Sequence, residues 1–321
     1  MCRLPFEAGK LALLLILSLA FSGQVPELWG QETDIKTAKK TEEEAVKGST
    51  LSKPHFANGN RAMQHAQAIR QQLLMATNEQ KPALLSKMKA DYQTAITEYE
   101  QALEEIQVKD ENSVHVIGDI GVIRNGLVSK QQAVGMLVQD KDLPVILSNL
   151  GLAYSGVGEY QEAITVLEQA AILKPAAGTY MELGTDQAQV GRMPEAAAAC
   201  DNVLTADPAA KNMQAGCYKN VAMVLANKGD LARAIAPLQK ATQINPQDAL
   251  AWKLLGDALT NTITSKSEGG KMVYVIPPGT IEAYERYLRL EPNGRYAGEV
   301  QAAVEGLTKL TKAPTETKEK N

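Results

Sequence analysis

The sequence predicts an all-α chain built as a stack of helix-turn-helix pairs. A multi-residue pattern recurs along the second half and ends each time in a proline, at positions 175, 208, 246 and 292. Within each copy the apolar residues fall at helical spacing, and a glycine stands where the first helix must stop. One such pair is too small to bury its apolar face, whereas copies laid side by side bury a continuous core.

The first copy sets the register. Leu147, Leu150 and Tyr154 lie on one face of a first helix, and Gly151 leaves room for a neighbouring helix to approach its backbone. Gly158 ends that helix, because glycine takes positive φ without steric cost. Ala163, Leu167 and Ala170 form the stripe of the second helix, and Pro175 stops it for want of an N–H. The second copy repeats Tyr180, Leu183, Gly184, Gly191, Ala196, Cys200 and Pro208, with Gln187 at the tyrosine position. The third runs Tyr218, Val221, Ala222, Leu225, Gly229, Ala234, Leu238 and Pro246. The fourth begins at Trp252, Leu255, Gly256 and Leu259, is interrupted, and resumes through Thr280, Ile281, Tyr284 and Tyr287 to Pro292.

These copies resemble the tetratricopeptide repeat family, whose signature is W-x2-L-G-x2-Y…A-x3-F…P, with Leu147 and Leu167 here in place of the aromatic residues. The resemblance implies a right-handed superhelical solenoid with a C-terminal capping helix, acting as a non-enzymatic scaffold that binds proteins or peptides. The prolines are spaced by 33, 38 and 46 residues, against a family period of about 34. The excess predicts a longer loop after Pro208 and an insertion of residues 261–279 in the fourth unit.

Flanking segments follow in order. Residues 1–30 read as a secretory signal and adjoining segment: Arg3 and Lys10 give the positive start, Leu11 to Phe21 the apolar core, and Ala20-Phe21-Ser22 a cleavage site, with a second after Gly30. The apolar run is short for a membrane span, which needs about 20 residues. Cys2 precedes the apolar core and no cysteine stands directly after it, which argues against a lipoprotein anchor. The expected location is therefore periplasmic or secreted, with no stable span after cleavage. Residues 31–55, rich in Lys, Glu and Thr, read as a disordered linker. Residues 56–143 read as a divergent helical region. Phe56 to Val108 suits a first repeat with long helices, and 112–143 a degenerate repeat ending at Pro144. Residues 144–292 hold the four units, 293–311 the capping helix with Val300, Val304 and Leu307 on one face, and 312–321 a disordered tail.

The chain of 321 residues has a formal charge of −4 and a pI near 5.6, which disfavours nucleic acid as a partner. The three histidines, His55, His65 and His115, have no metal-ligand spacing. No phosphate-cradling loop and no nucleophile elbow are present. No catalytic residue, metal or cofactor is expected. An enzyme hidden in 112–143 would have to use His115, Asp119 and Arg124.

Carried over residue by residue, the family register puts Ser148, Leu152, Met181, Thr185, Lys219, Met223, Lys253 and Asp257 on the concave face, with Asn220 beside Lys219. Lys219 and Lys253 occupy equivalent places, and repeat domains of this family hold chaperone C-termini with lysines and asparagines on a carboxylate. Ser148 departs from that clamp. The alternative is a solvated groove wall. Cys200 and Cys217 lie on helices that pack together in such stacks, so they either bridge in an oxidising compartment or sit as two small apolar residues. Pro237 should bend the second helix of the third unit.

In the insertion, Met272 to Ile276 is apolar and β-prone and Pro277-Pro278-Gly279 ends it, with Thr280 placed to cap the next helix. This Pro-Pro-Gly-Thr run and the Ala-Tyr…Tyr-Leu…Pro pattern after it are similar to a segment of some secreted bacterial members. The strip either folds back over the stack, the favoured reading, or presents an edge to a partner. Structural self-association is the alternative to a scaffold for other proteins.

Overall fold

The computed structural model describes residues 35–106, 115–117, 120–123, 126–127, 142–268, 271–312 and 315–316. The expected export signal in residues 1–30 lies outside them, as do residues 128–141 and most of the C-terminal tail. The chain divides into two units, one of Met1–Gly48 with Gln107–Gln139 and one of Ser49–Ile106 with Asp140–Asn321.

Two expectations are corrected in and beside the first unit. The predicted disordered linker is helical from residue 35 onward, as part of α1 (Ile35–Met75). Of its Lys, Glu and Thr content, read as solvating, the Lys and Glu also carry high helix propensity, and Pro54 lies inside the same helix. Of residues 112–143, expected as a degenerate helical repeat, those described before Asp142 are strand and not helix. They contain β1 (His115–Ile117), β2 (Ile120–Ile123) and β3 (Gly126–Leu127), antiparallel in that order, with Val116 opposite Gly121 and Val122 opposite Leu127. Short β-branched runs broken by glycines favour tight strand pairs over a helix. Pro144 does not end a repeat. It stands in the first turn of the next helix, where its missing N–H costs nothing.

The second unit is an all-α solenoid of consecutive helical pairs. After α1 come α2 (Lys81–Ile106), then α3 (Leu143–Val157) with α4 (Tyr160–Leu173), α5 (Ala177–Gln189) with α6 (Met193–Ala206), α7 (Lys211–Asn227) with α8 (Leu231–Ile244), and α9 (Ala249–Asn261) with α10 (Thr280–Leu290). α11 (Ala297–Lys312) closes the row against α10. Each first helix packs on its own second helix, and each second helix packs on the first helix of the next pair. Gly158, Gly191 and Gly229 follow α3, α5 and α7 at φ of 88°, 85° and 79°, the left-handed turn expected of them. The extra residues of the third unit lengthen a helix rather than a loop: α7 has 17 residues against 13 in α5 and α9.

One contact repeats down the row and explains the motif glycine. Sixteen residues after Gly151 and Gly184 come Leu167 and Cys200, and each lies against its glycine from the second helix. A Cβ on Gly151 would stand 2.5 Å from Leu167 Cγ, and one on Gly256 2.5 Å from the Tyr284 ring, the same pairing stretched by the insertion. Gly59 on α1 meets Tyr99 on α2 in the same way, at 2.5 Å. Residues 56–106 thus pack as a first pair with lengthened helices. Leu150, Leu167, Val203, Val221 and Leu238, each at most 2 % exposed, continue the core from pair to pair.

The insertion is a hairpin of β4 (Thr264–Glu268) and β5 (Lys271–Val275), with Ser265 opposite Tyr274, and β6 (Thr315–Glu316) pairs with Lys271 and Met272. Ile263 and Ile276 at its root pack on the Tyr284 and Tyr287 cluster, while β4 is exposed throughout and Tyr274 and Val275 are 37 % and 46 % exposed. The favoured fold-back therefore holds for the root alone. Thr280 does not cap α10. Gly279 holds that place at φ 85°, and the Thr280 hydroxyl donates to the Pro277 carbonyl at 2.7 Å. Pro237 sits inside an unbroken α8.

Candidate functional site

The inward residues of α3, α5, α7 and α9 sort into two rows. The first row is Ser148, Met181, Lys219 and Lys253, three residues before the motif glycine or its alanine equivalent. Each member reaches the beginning of the next first-type helix. Ser148 Oγ lies 3.0 Å from Thr179 Oγ1 on α5. Met181 Sδ lies 4.0 Å from where a Cβ on Gly216 of α7 would be. Lys219 Nζ donates to Asp248 Oδ2 at 2.5 Å, and Asp248 also caps α9 by accepting from the Ala251 N–H at 3.0 Å. Lys253 Nζ sits 2.8 Å from Asp257 and 3.1 Å from Glu299 on α11, with its charge 4.8 Å from the Tyr296 ring centroid. Burial works against the Lys253 ammonium, and the two carboxylates outweigh it, so its pKa is raised.

The two lysines are thus braces between successive pairs. Each already faces a carboxylate of its own chain, and the Lys219 and Lys253 side chains are only 21 % and 13 % exposed. The second row is Leu152, Thr185, Met223 and Asp257. Leu152 is half-buried, Thr185 Oγ1 donates to the Met181 carbonyl at 2.9 Å, and Met223 is 39 % exposed. Asp257 accepts from the Tyr284 hydroxyl at 2.9 Å as well as from Lys253. Asn220 is half-buried beside Lys219.

The structure adds a polar seam between α3 and α5 that the motif does not announce. Ser155 Oγ donates to Asp186 Oδ2, in step with Ser148 and Thr179 two helical turns earlier. Asp186 is 1 % exposed, and burial lifts its carboxyl to about 7; the Ser155 bond opposes this and the Glu182 charge adds to it. Burial also raises Glu182, and Arg70 on α1 pulls it partway back. The signal was available: polar residues seven apart on each of two helices, offset by 31 residues, where an apolar stripe was expected.

The remaining candidates do not converge. His55 Nδ1 lies 2.8 Å from Glu98 Oε2, His65 is exposed, and His115 is on β1. Asp119 and Arg124 fall outside the described residues. Among the described residues no group of three or more His, Cys, Asp or Glu is placed to hold a metal, and no helix is long and apolar enough to cross a membrane. Cys200 on α6 and Cys217 on α7 are joined by a disulfide, Cα to Cα 5.5 Å, fully buried beside Gly184.

Comparison with known proteins gives the following. Two family models, each described as a tetratricopeptide repeat, match residues 148–211 and 215–248. No curated protein matches the chain in sequence. Among solved structures, one of MamA is 18 % identical with a TM-score of 0.39, covering 64 % of this chain and 92 % of that one. MamA residues 41 to the end from Desulfovibrio magneticus RS-1 give 16 %, 0.38, 72 % and 97 %. YrrB, described as a TPR protein with an unusual peptide-binding site, gives 15 %, 0.37, 74 % and 99 %.

Proposed function

We propose, from the premise that this chain is a tetratricopeptide-repeat protein and so a scaffold for protein binding, that its inward face holds a partner segment through the second row and that it supports assembly of a complex in the cell envelope. The observation that carries this is the division of labour between the rows. The first row is spent on bracing the stack, so a ligand is left Leu152, Thr185 and Met223, with Met223 the most open of them. Asp257, the fourth member of the row, is taken up by Lys253 and Tyr284, so the three residues left are uncharged. That surface favours an extended segment with an aliphatic side chain over an acidic C-terminus, because both groove lysines already carry carboxylate partners. The scaffold is read as non-enzymatic.

An envelope location is supported by the apolar run Leu11 to Phe21 behind Arg3 and Lys10, and by a buried disulfide, which persists in oxidising compartments. The test is a pull-down from an envelope extract with the full chain, run beside Met223→Glu and Lys219→Ala. A partner of this groove is captured by the wild type, lost with Met223→Glu, and kept with Lys219→Ala. Lys219→Ala instead lowers folding stability, by about 1 kcal/mol, by freeing a shielded Asp248. A partner that survives Met223→Glu overturns the groove assignment.

A further inference from the structure

The α1–α2 hairpin is longer than the stack requires. α2 has 26 residues against 14 in α4, α6 and α8. Beyond Ala66 on α1 and before Tyr92 on α2 no side chain is fully buried; Ile69, Leu73, Leu84 and Met88 are half-buried, so the outer turns add little to the core. They end in a tightly bonded turn: the Thr77 N–H donates to Gln80 Oε1 at 3.0 Å and the Lys81 N–H to the Thr77 carbonyl at 3.1 Å. At this tip stand Leu74 and Met75, 75 % and 89 % exposed, the two most exposed large apolar side chains among the described residues. Leu85, 49 % exposed, is one turn into α2. Lys81, Lys87 and Lys89 are exposed on the same helix, and Glu79 is the single acid between residues 74 and 89. A net positive tip on an acidic chain, ending in bare aliphatic side chains, calls for an explanation beyond folding.

We propose that this tip docks on an anionic lipid surface, with Leu74, Met75 and Leu85 entering the headgroup boundary and the three lysines at phosphate level. The dimensions fit. Interfacial apolar faces sit about 5–10 Å deep, and one helical turn advances about 5.4 Å, so the wedge falls within that depth, Lys87 and Lys89, about two turns past Lys81, stand at its outer edge, and the Lys81 stem reaches outward to the same layer. Lysine stems then lie along apolar surface with the ammonium in the headgroup layer. A protein partner is the weaker fit, because the apolar residues project instead of lining a pocket and none is aromatic. The inference is independent of the groove.

The test is flotation of the full chain with vesicles of phosphatidylcholine alone and of phosphatidylcholine mixed with phosphatidylglycerol. Binding is expected to the mixed vesicles only, and to fall with added salt. Lys81→Gln/Lys87→Gln/Lys89→Gln should weaken it at least ~10-fold, and the matching Lys→Arg triple should keep it. Leu74→Ser/Met75→Ser/Leu85→Ser should weaken it comparably. All are surface changes, so unchanged thermal melts certify the fold. Met223→Glu should leave vesicle binding intact. The proposal is overturned if the wild type does not float with anionic vesicles, or if either weakening triple binds like the wild type. It is also overturned if the three apolar residues instead retain an acidic protein in the absence of lipid.

Discussion

Gly151 carries more of the architecture than any side chain in its pair. Leu167 occupies the volume a Cβ would need, at 2.5 Å, so the two helices approach to a distance only glycine permits. Gly151→Ala should therefore overpack the pair and cost about 1–3 kcal/mol. Gly178, with nothing within 4 Å of its Cβ position and on the exposed side of α5, is the matched control. Gly178→Ala should be neutral or gain up to about 1 kcal/mol from helix propensity. Urea denaturation of both variants decides it, and equal midpoints would remove close approach as the reason for the motif glycine. Asp186 gives a second residue-scale prediction. Its folded pKa, about 7, lies above the unfolded value near 4. The folded state therefore binds the extra proton, and this contribution to stability is full below about pH 4 and is lost as pH rises through about 7. Asp186→Asn, which can still accept from Ser155, should flatten the decline between those limits, by at most about 4 kcal/mol. Melting curves at pH 4 to 8 that fall equally for wild type and variant would refute it.

Between elements, the covalent link from α6 to α7 is the strongest. Cys200 and Cys217 are 17 residues apart and fully buried. Closing a loop of that length withdraws chain entropy from the unfolded state worth about 3 kcal/mol. Reductant should lower the wild-type midpoint by about 2–4 kcal/mol and leave Cys200→Ala/Cys217→Ala unaffected. A wild-type midpoint indifferent to reductant would show the bond to be absent in solution. The same elements show what was legible from sequence. Pairing and order of α3 to α10 were readable because Leu150, Gly151, Leu167 and their copies repeat as a unit. The strands of 115–127 were missed because the glycines there were weighed only against helix, and α1 was begun too late because lysines and glutamates both solvate a linker and favour a helix. Register says where a groove candidate's side chain starts, not what meets it. Besides Asp257 on the same helix as Lys253, the carboxylates that take up Lys219 and Lys253 come from the next first-type helix, 29 residues away for Asp248 and from α11 for Glu299.

At the scale of the whole second unit, each pair touches chiefly its neighbours, so stability should travel along the row and not across it. α11 stands at the open end. Val300 and Leu307, 1 % and 5 % exposed, cover Tyr284 and Tyr287, and Glu299 completes the shell around Lys253. Val300→Asp/Leu307→Asp buries two carboxylates with no partner and should undock α11. In a body with one shared core that damage would spread everywhere. In a linear stack it should lower hydrogen-exchange protection in α9, α10 and α11, less in α7 and α8, and leave α3 to α6 near wild type. The disulfide between α6 and α7 should act as a further stop, since it holds the second and third pairs together after the end has frayed. Uncovering Tyr284 and Tyr287 should also make the variant associate with itself, seen as a sedimentation coefficient rising with concentration. Protection lost evenly from α3 to α11 would mean that the pairs melt as one, and the neighbour-by-neighbour account of the solenoid would fail.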